Sequence, residues 1–318
     1  METIFTLGDI PFTGYGLGAA GAMLLFLLAY GVWCRRMKVS YGAFVRFAAL
    51  AAPMVWFCSR LVFVLANCTY YLTTLSNPAL ALRFWDGGYS MMGAVGGAIL
   101  AAFAAGKWTK TASGRLLDGV GFAAPIGILL ERFLEGSTGM GVGRPVYTAL
   151  PSLFTMTDET EQVVHAVYRD EFLVAGIIFA AICLWLIVRG NRPLPGGDVL
   201  LVFLTLFGCT QVLLESLRND GHMVVHFVRI QQVIAVILPV IALGVWTKRL
   251  SGHIKRGRLI GLWGIVLIAI GVGVWEEFAI DSSEQLWLDY GVMALALTVI
   301  ACVTLLCGRA ARKIAVKG

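Results

Sequence analysis

Apolar residues run along this chain in long blocks, separated by short polar stretches that hold most of the charge. A bilayer core takes about 20 mostly apolar residues per helix. On that measure about nine blocks qualify: roughly 13 to 33, 47 to 68, 88 to 106, 117 to 133, 172 to 188, 198 to 215, 228 to 246, 259 to 275 and 286 to 307. The second contains Arg60, and the fourth is short and carries Pro125 and several Gly, which makes these two the weakest. The predicted fold is all-α, a polytopic membrane helix bundle of about nine transmembrane spans with the N-terminus outside and the C-terminus inside. Between the fourth and fifth blocks lies a longer segment, about 134 to 170, with Gly136, Gly139, Gly141, Gly143, Pro145 and Pro151 in its first half and acidic residues in its second. It is too polar to span and too short for an independent domain, and is expected to form an outer cap over the mouth of the bundle.

Composition agrees with this pattern. The chain is 58% hydrophobic and only 14% charged, with a mean hydropathy of +0.81, which excludes a soluble enzyme, a disordered chain and a secreted disulfide scaffold. The seven Cys lie in or beside apolar segments without paired spacing, so they read as small packing residues rather than disulfides or metal ligands. The first ten residues carry Glu2 and Asp9 and no basic residue, unlike a signal peptide, so the first span is expected to be retained.

The net charge of +6 has a topological explanation. Cytoplasmic loops hold the excess of Lys and Arg, and with an outside N-terminus the inner segments are 34 to 45, 107 to 116, 189 to 197, 247 to 258 and the tail from 308. They contain 17 of the 25 basic residues. The surplus is therefore topogenic and points away from nucleic acid. Within it, all seven Lys fall on the inner side, whereas the outer basic residues are all Arg: Arg83, Arg132, Arg144, Arg169, Arg218 and Arg229. Only Arg offers a planar fork that grips phosphate or carboxylate bidentately, so the outer set is a candidate anion site. The plainer reading pairs it with outer carboxylates such as Glu131, Glu135, Asp170 and Glu215.

Several motifs sit at the outer ends. Trp85-Asp86-Gly87-Gly88-Tyr89-Ser90-Met91-Met92-Gly93-Ala94-Val95-Gly96-Gly97 opens the third span, and glycines at that density let a helix or a lipid chain approach the backbone. The fourth span carries Asp118, Ala124-Pro125 and Glu131-Arg132, followed by Gly143-Arg144-Pro145. The sixth ends with Gln211 and, further on, Glu215, Arg218 and Asp220. In this order the motifs resemble the prolipoprotein diacylglyceryl transferase family. Asp118 stands fourteen residues before Arg132, and Gly143 eleven after it, as in the family. Tyr15-Gly16 and Arg60 match an early Tyr-Gly and an Arg of its second span, and Phe207-Gly208 through Glu215 to Arg218 echoes a later Tyr-Gly, Glu and Arg stretch.

The resemblance covers about residues 10 to 247. It implies a seven-span transferase-like domain over 1–247, including the outer cap, with 248–318 as two additional spans and a basic tail. It further implies a reaction at the outer leaflet of a bacterial cytoplasmic (plasma) membrane. A diacylglyceryl group moves from phosphatidylglycerol, or another anionic phospholipid, to the thiol of a lipobox Cys in a preprolipoprotein, and glycerol phosphate leaves; no cofactor and no metal is implied. On the matched positions, Arg132, Glu215 and Arg218 would be catalytic, and Tyr15, Arg60, Gly87, Gly88, Gly93, Asp118, Gly143 and Arg144 would bind substrate.

The sequence also departs from the family. Met92 stands where the family has His, Gln211 where it has a second Arg, and Leu134-Glu135-Gly136 where it has Gly-Asn-Phe. A replacement base is sought in His222 or His226, with His222 taken as catalytic. The departures keep an alternative open, a catalytically inactive relative that binds anionic phospholipid or a lipoprotein precursor. At residue level Arg132 and Glu131 could be interfacial groups paired with each other, Glu215 and Arg218 a plain (i, i+3) pair, Tyr15 an interfacial anchor, and Arg60 a bundle-facing residue paired with a carboxylate.

Overall fold

A computed structural model describes the chain except for residues 1–2, 8–9, 75–76, 84–86, 136–141, 146–154, 159–162, 168–169, 191–193, 220–222, 226–227, 281–282, 284 and 316–318. Among the described residues nine α-helices follow one another: α1 (Gly14–Arg36), α2 (Tyr41–Ala66), α3 (Met91–Thr109), α4 (Ser113–Glu135), α5 (Asp170–Arg189), α6 (Asp198–Leu217), α7 (Ile230–Leu250), α8 (Arg256–Ile280) and α9 (Leu286–Ala315). Each overlaps one of the nine apolar blocks. Seven are long and apolar enough to cross a membrane, namely α1, α2, α3, α6, α7, α8 and α9. α4 and α5 fall outside that set. α4 carries Arg115 and Asp118 near its start and Glu131, Arg132 and Glu135 at its end, while the apolar part of α5 is Leu173–Arg189.

The described loops add short strands that the apolar pattern does not foresee. A hairpin pairs β1 (Thr3–Leu7) with β2 (Ile10–Thr13). Within the expected cap, β3 (Val142–Pro145), β4 (Thr155–Asp158) and β5 (Val163–Val167) form an antiparallel sheet in the order β3-β5-β4. A last two-residue pair joins β6 (Val224–Val225) to β7 (Val228–Arg229) just before α7.

Helix starts use local capping. The hydroxyls of Thr13, Ser40 and Ser90 accept from the backbone N–H three residues on, at 3.1, 3.3 and 3.3 Å, meeting donors that a helix cannot satisfy itself. Glycines then set how closely the helices pack. A Cβ added at Gly93 or Gly97 would lie 2.4 Å from the carbonyl oxygen of Cys58 or Met54, so α3 rests directly on the backbone of α2.

Helix direction fixes which ends coincide. α1 runs antiparallel to α4: Tyr30 and Trp33, late in α1, donate to the carbonyls of Leu116 and Arg115 at 3.0 Å each. Tyr15, at the start of α1, reaches Glu131 at the end of α4. α6 runs parallel to α4, since Gly114 and Gly121 of α4 press on Gly196 and Leu200 at the start of α6. α6 is the hub: nearly its whole length is buried, with α4, α5, α7 and α9 around it. From their shared starting level, α4 and α6 each rise about 1.5 Å per residue. Arg132 and Glu215, fourteen and fifteen residues beyond Asp118 and Leu200, therefore arrive together about 21 Å away at the other end of the bundle.

Candidate active site

The last turn of α4 presents Glu131 and Arg132. Arg132 is buried to 3% exposure in spite of its charge, with Nε 3.6 Å from Glu131 Oε2. The hydroxyl of Tyr15 donates to the other oxygen, Glu131 Oε1, at 2.8 Å. Tyr15 thus orients the carboxylate that faces Arg132, and the three residues form one unit across α1 and α4.

The end of α6 supplies the second unit. Glu215 is fully buried and Arg218 is 3% exposed. Their separation of one turn puts Arg218 Nη1 3.6 Å from Glu215 Oε1, and the same oxygen accepts from Gln211 Nε2 at 3.2 Å. The other carboxylate oxygen, Oε2, has no hydrogen-bond partner among the described residues. A charge held in such surroundings is costly unless it is paired, and Gln211 and Arg218 supply that pairing at Oε1.

The two units are joined by backbone. Gly143 forms an isolated antiparallel bridge with Arg218, which ties the chain eleven residues beyond Arg132 to the end of α6. Arg144 follows Gly143 in β3. Arg132, Gly143, Glu215 and Arg218 are thereby assembled from segments far apart in sequence. His222, His226 and Asp220 lie outside the described residues, as do Trp85 and Asp86.

Four other residues expected to bind substrate make different contacts. Arg60 is buried in α2 and donates to the carbonyl oxygens of Ala81 at 3.1 Å, Gly88 at 3.1 Å and Gly87. Its guanidinium lies 5.8 Å from the ring centres of both Phe63 and Tyr71. Its partners are carbonyls rather than the carboxylate of the plainer alternative, and its effect is to clamp the loop that enters α3. Gly87 and Gly88 serve that clamp with φ of +79° and +76°, and a Cβ on Gly88 would meet Phe63 at 2.4 Å. Gly93 is filled by the α2 backbone, as described above.

Asp118 stands furthest from the expectation. It sits about 21 Å down the helix from Arg132, 3% exposed, and accepts from the N–H groups of Gly197, Val199 and Leu200 at 2.9, 2.7 and 3.3 Å. Gly197 offers no side chain to cap α6, so Asp118 caps that helix from α4. The contact occupies its carboxylate at the end of the bundle opposite Arg132.

Two residues of the site take roles that the sequence reading did not give them. Gln211, seen only as a missing Arg, is a buried amide that holds Glu215 one turn away, a relation already readable in its i−4 spacing. Arg229 donates through Nη2 to the carbonyl of Arg218 at 2.6 Å and closes the end of α6. Met92, in place of the family His, is buried in the first turn of α3.

Comparison with known proteins places the chain among relatives that share its sequence over most of their length. A protein of Streptococcus equi subsp. zooepidemicus (strain MGCS10565), named phosphatidylglycerol–prolipoprotein diacylglyceryl transferase, is 25% identical over 260 residues, 80% of this chain and 95% of its own. Proteins of the same name from Clostridioides difficile (strain 630) and Nitratidesulfovibrio vulgaris (strain DP4) are each 27% identical, covering 73% and 78% of this chain and 89% and 93% of their own. Residues 2–248 match the profile of the prolipoprotein diacylglyceryl transferase family, a stretch that holds both site units and the bridge between them, and the chain belongs to that family.

Proposed function

We propose that this protein transfers a diacylglyceryl group from phosphatidylglycerol to the thiol of a lipobox Cys in a preprolipoprotein, at the outer leaflet of a bacterial cytoplasmic membrane. The observation that carries the reading is the bridge between Gly143 and Arg218, which gathers the Arg-bearing segments after α4 and α6 at one end of the bundle. Arg132 and Arg218, with Arg144 beside Gly143, hold the phosphodiester. The thiol gives its proton to Glu215 Oε2, the buried oxygen that has no partner among the described residues; His222 is the other candidate base. The thiolate then attacks the glycerol carbon of the diacylglyceryl group. A C–S bond forms, the C–O bond to phosphate breaks, and glycerol phosphate leaves with the electron pair and takes up a proton. Fixed guanidinium groups in a dry site stabilise the charge that develops on that phosphate. Tyr15 orients Glu131 beside Arg132.

α4 and α5 complete nine spans in this reading, with the N-terminus outside. The support is the Lys and Arg distribution: five basic residues lie between Lys248 and Arg258, and none between Glu276 and Glu284. A Cys placed at Ser251 in a variant lacking the native Cys should resist an impermeant thiol reagent in intact cells; ready labelling reverses the orientation. The division into 1–247 and 248–318 rests on the same reading.

Met92 and Gln211 favour a second reading, a relative that binds anionic phospholipid or a lipoprotein precursor without transfer. Purified protein is incubated with phosphatidylglycerol vesicles and a lipobox peptide, and thioether formation is read by mass. Transfer is expected, falling about 10²- to 10⁴-fold in Glu215→Gln while lipid binding persists. Lipid binding without any transfer by the unaltered protein supports the second reading, and neither activity sinks both.

A further inference from the structure

Helices α8 and α9 lie wholly beyond the matched residues 2–248, yet they reach the end of α6 that carries Glu215 and Arg218. The last four carbonyls of a helix have no donor within it, and in apolar surroundings water does not replace one cheaply. At the end of α6, the Glu215 carbonyl accepts from the N–H of Arg218 at 3.3 Å, and Arg229 meets the carbonyl of Arg218. The carbonyl of Ser216, between the two site residues, is met from α9: the hydroxyl of Tyr290 donates to it at 3.2 Å. From α8, Glu277 accepts from Gln232 Nε2 at 2.8 Å, and the same amide nitrogen donates to the carbonyl of Val212 in α6 at 3.2 Å.

Helix α9 is also fixed at its far end, so Tyr290 acts from a stiff support. Gly308 packs so tightly on Trp246 that a Cβ would fall 2.7 Å from its ring, and Arg312 Nη1 lies 3.3 Å from Asp198 Oδ2 at the start of α6. α9 thus touches both ends of α6.

We propose that Tyr290 is a positioning residue: by capping the Ser216 carbonyl it keeps the last turn of α6 from fraying and holds Glu215 and Arg218 in their working relation. The same turn carries the Gly143 bridge, so its geometry sets how the two site units meet. The inference rests on the transferase reading given above.

Tyr290→Phe tests it, because the ring stays and only the hydroxyl goes. Backbone amide exchange over 216–219 should quicken about fivefold, and kcat of transfer should fall about fivefold, with KM for phosphatidylglycerol unchanged and Tm lowered by only about 2 °C. A lowered Tm with kcat intact would mark a merely structural contact and overturn the proposal, as would unchanged exchange, whether or not the unaltered protein transfers lipid. Quicker exchange with unchanged kcat overturns it too. Quicker exchange in a protein that shows no transfer leaves the positioning intact and removes the transferase reading instead.

Discussion

The two ends of the α4–α6 pair both bury carboxylates, but they satisfy them differently. At one end Asp118 takes three backbone N–H groups, and fully buried Asp198 takes Arg249, Arg312 at 3.3 Å and the indole N–H of Trp246 at 3.2 Å. At the other end Glu215 has its donors, Gln211 and Arg218, on a single oxygen, while Oε2 has no partner among the described residues. These carboxylates act as fasteners: both oxygens of each take donors that hold α6 against α4, α7 and α9. A carboxylate whose second oxygen has no partner among the described residues, beside buried Arg, is the one on which the proposed proton transfer draws. The difference separates charge used for folding from charge available for chemistry, although both look alike as buried acids.

Arg132→Lys challenges the reactive end most severely. Charge is kept and the planar fork is lost, so transfer should fall about 10²- to 10³-fold, close to the loss in Arg132→Ala. Transfer rates and phosphatidylglycerol binding of the two folded variants give the measurement. Full activity in the Lys variant would make Arg132 an interfacial anchor and leave the two ends of the bundle chemically equivalent.

Local pattern decides how much of this was legible in advance. The apolar blocks locate all nine helices, because a bilayer-length run of apolar residues has few other solutions. Most helices outrun their blocks at the C-terminal end, as in α9, which continues from the predicted stop at 307 to Ala315; helical hydrogen bonding persists after hydrophobicity stops. The short strands carry no such signal: β3 has four residues and finds its partner β5 some twenty positions later. The spacing of Asp118 to Arg132 is visible in sequence, but the role of Asp118 is set by N–H groups about eighty residues away, and a backbone donor has no residue type to read. Arg60 is recognisable as bundle-facing from the cost of its charge in lipid, while its carbonyl partners emerge only when the loop before α3 folds over it. Tyr290 resembles any aromatic residue near an interface until α9 is laid against α6.

Asp118→Asn sharpens the contrast from the other side, with an effect of intermediate size. The amide is isosteric but places an NH₂ against backbone donors, so at least one N–H at the start of α6 loses its acceptor, at a cost of about 1–3 kcal/mol. Thermal stability in detergent should drop while kcat of the protein that remains folded is unchanged. A fall in kcat at unaltered stability would bring Asp118 back into substrate binding.

The smallest effect is expected where the same change as Arg132→Lys is made at the fastening end. Arg312 reaches Asp198 through Nη1 and lies 5.1 and 5.7 Å from the ring centres of Trp185 and Trp246. Arg312→Lys retains a positive charge on a long stem, and Asp198 keeps Arg249 and the Trp246 indole, so its charge stays paired. What disappears is the stacking of a flat guanidinium on two indoles, worth about 1 kcal/mol, which is about 2 °C in Tm for a chain of this size. Transfer should be unaffected, because nothing at that end touches the reacting groups. Equal losses of transfer in Arg312→Lys and Arg132→Lys, both folded, would mean that the fastening at one end of α6 governs the chemistry at the other, and the division between the two ends would fail.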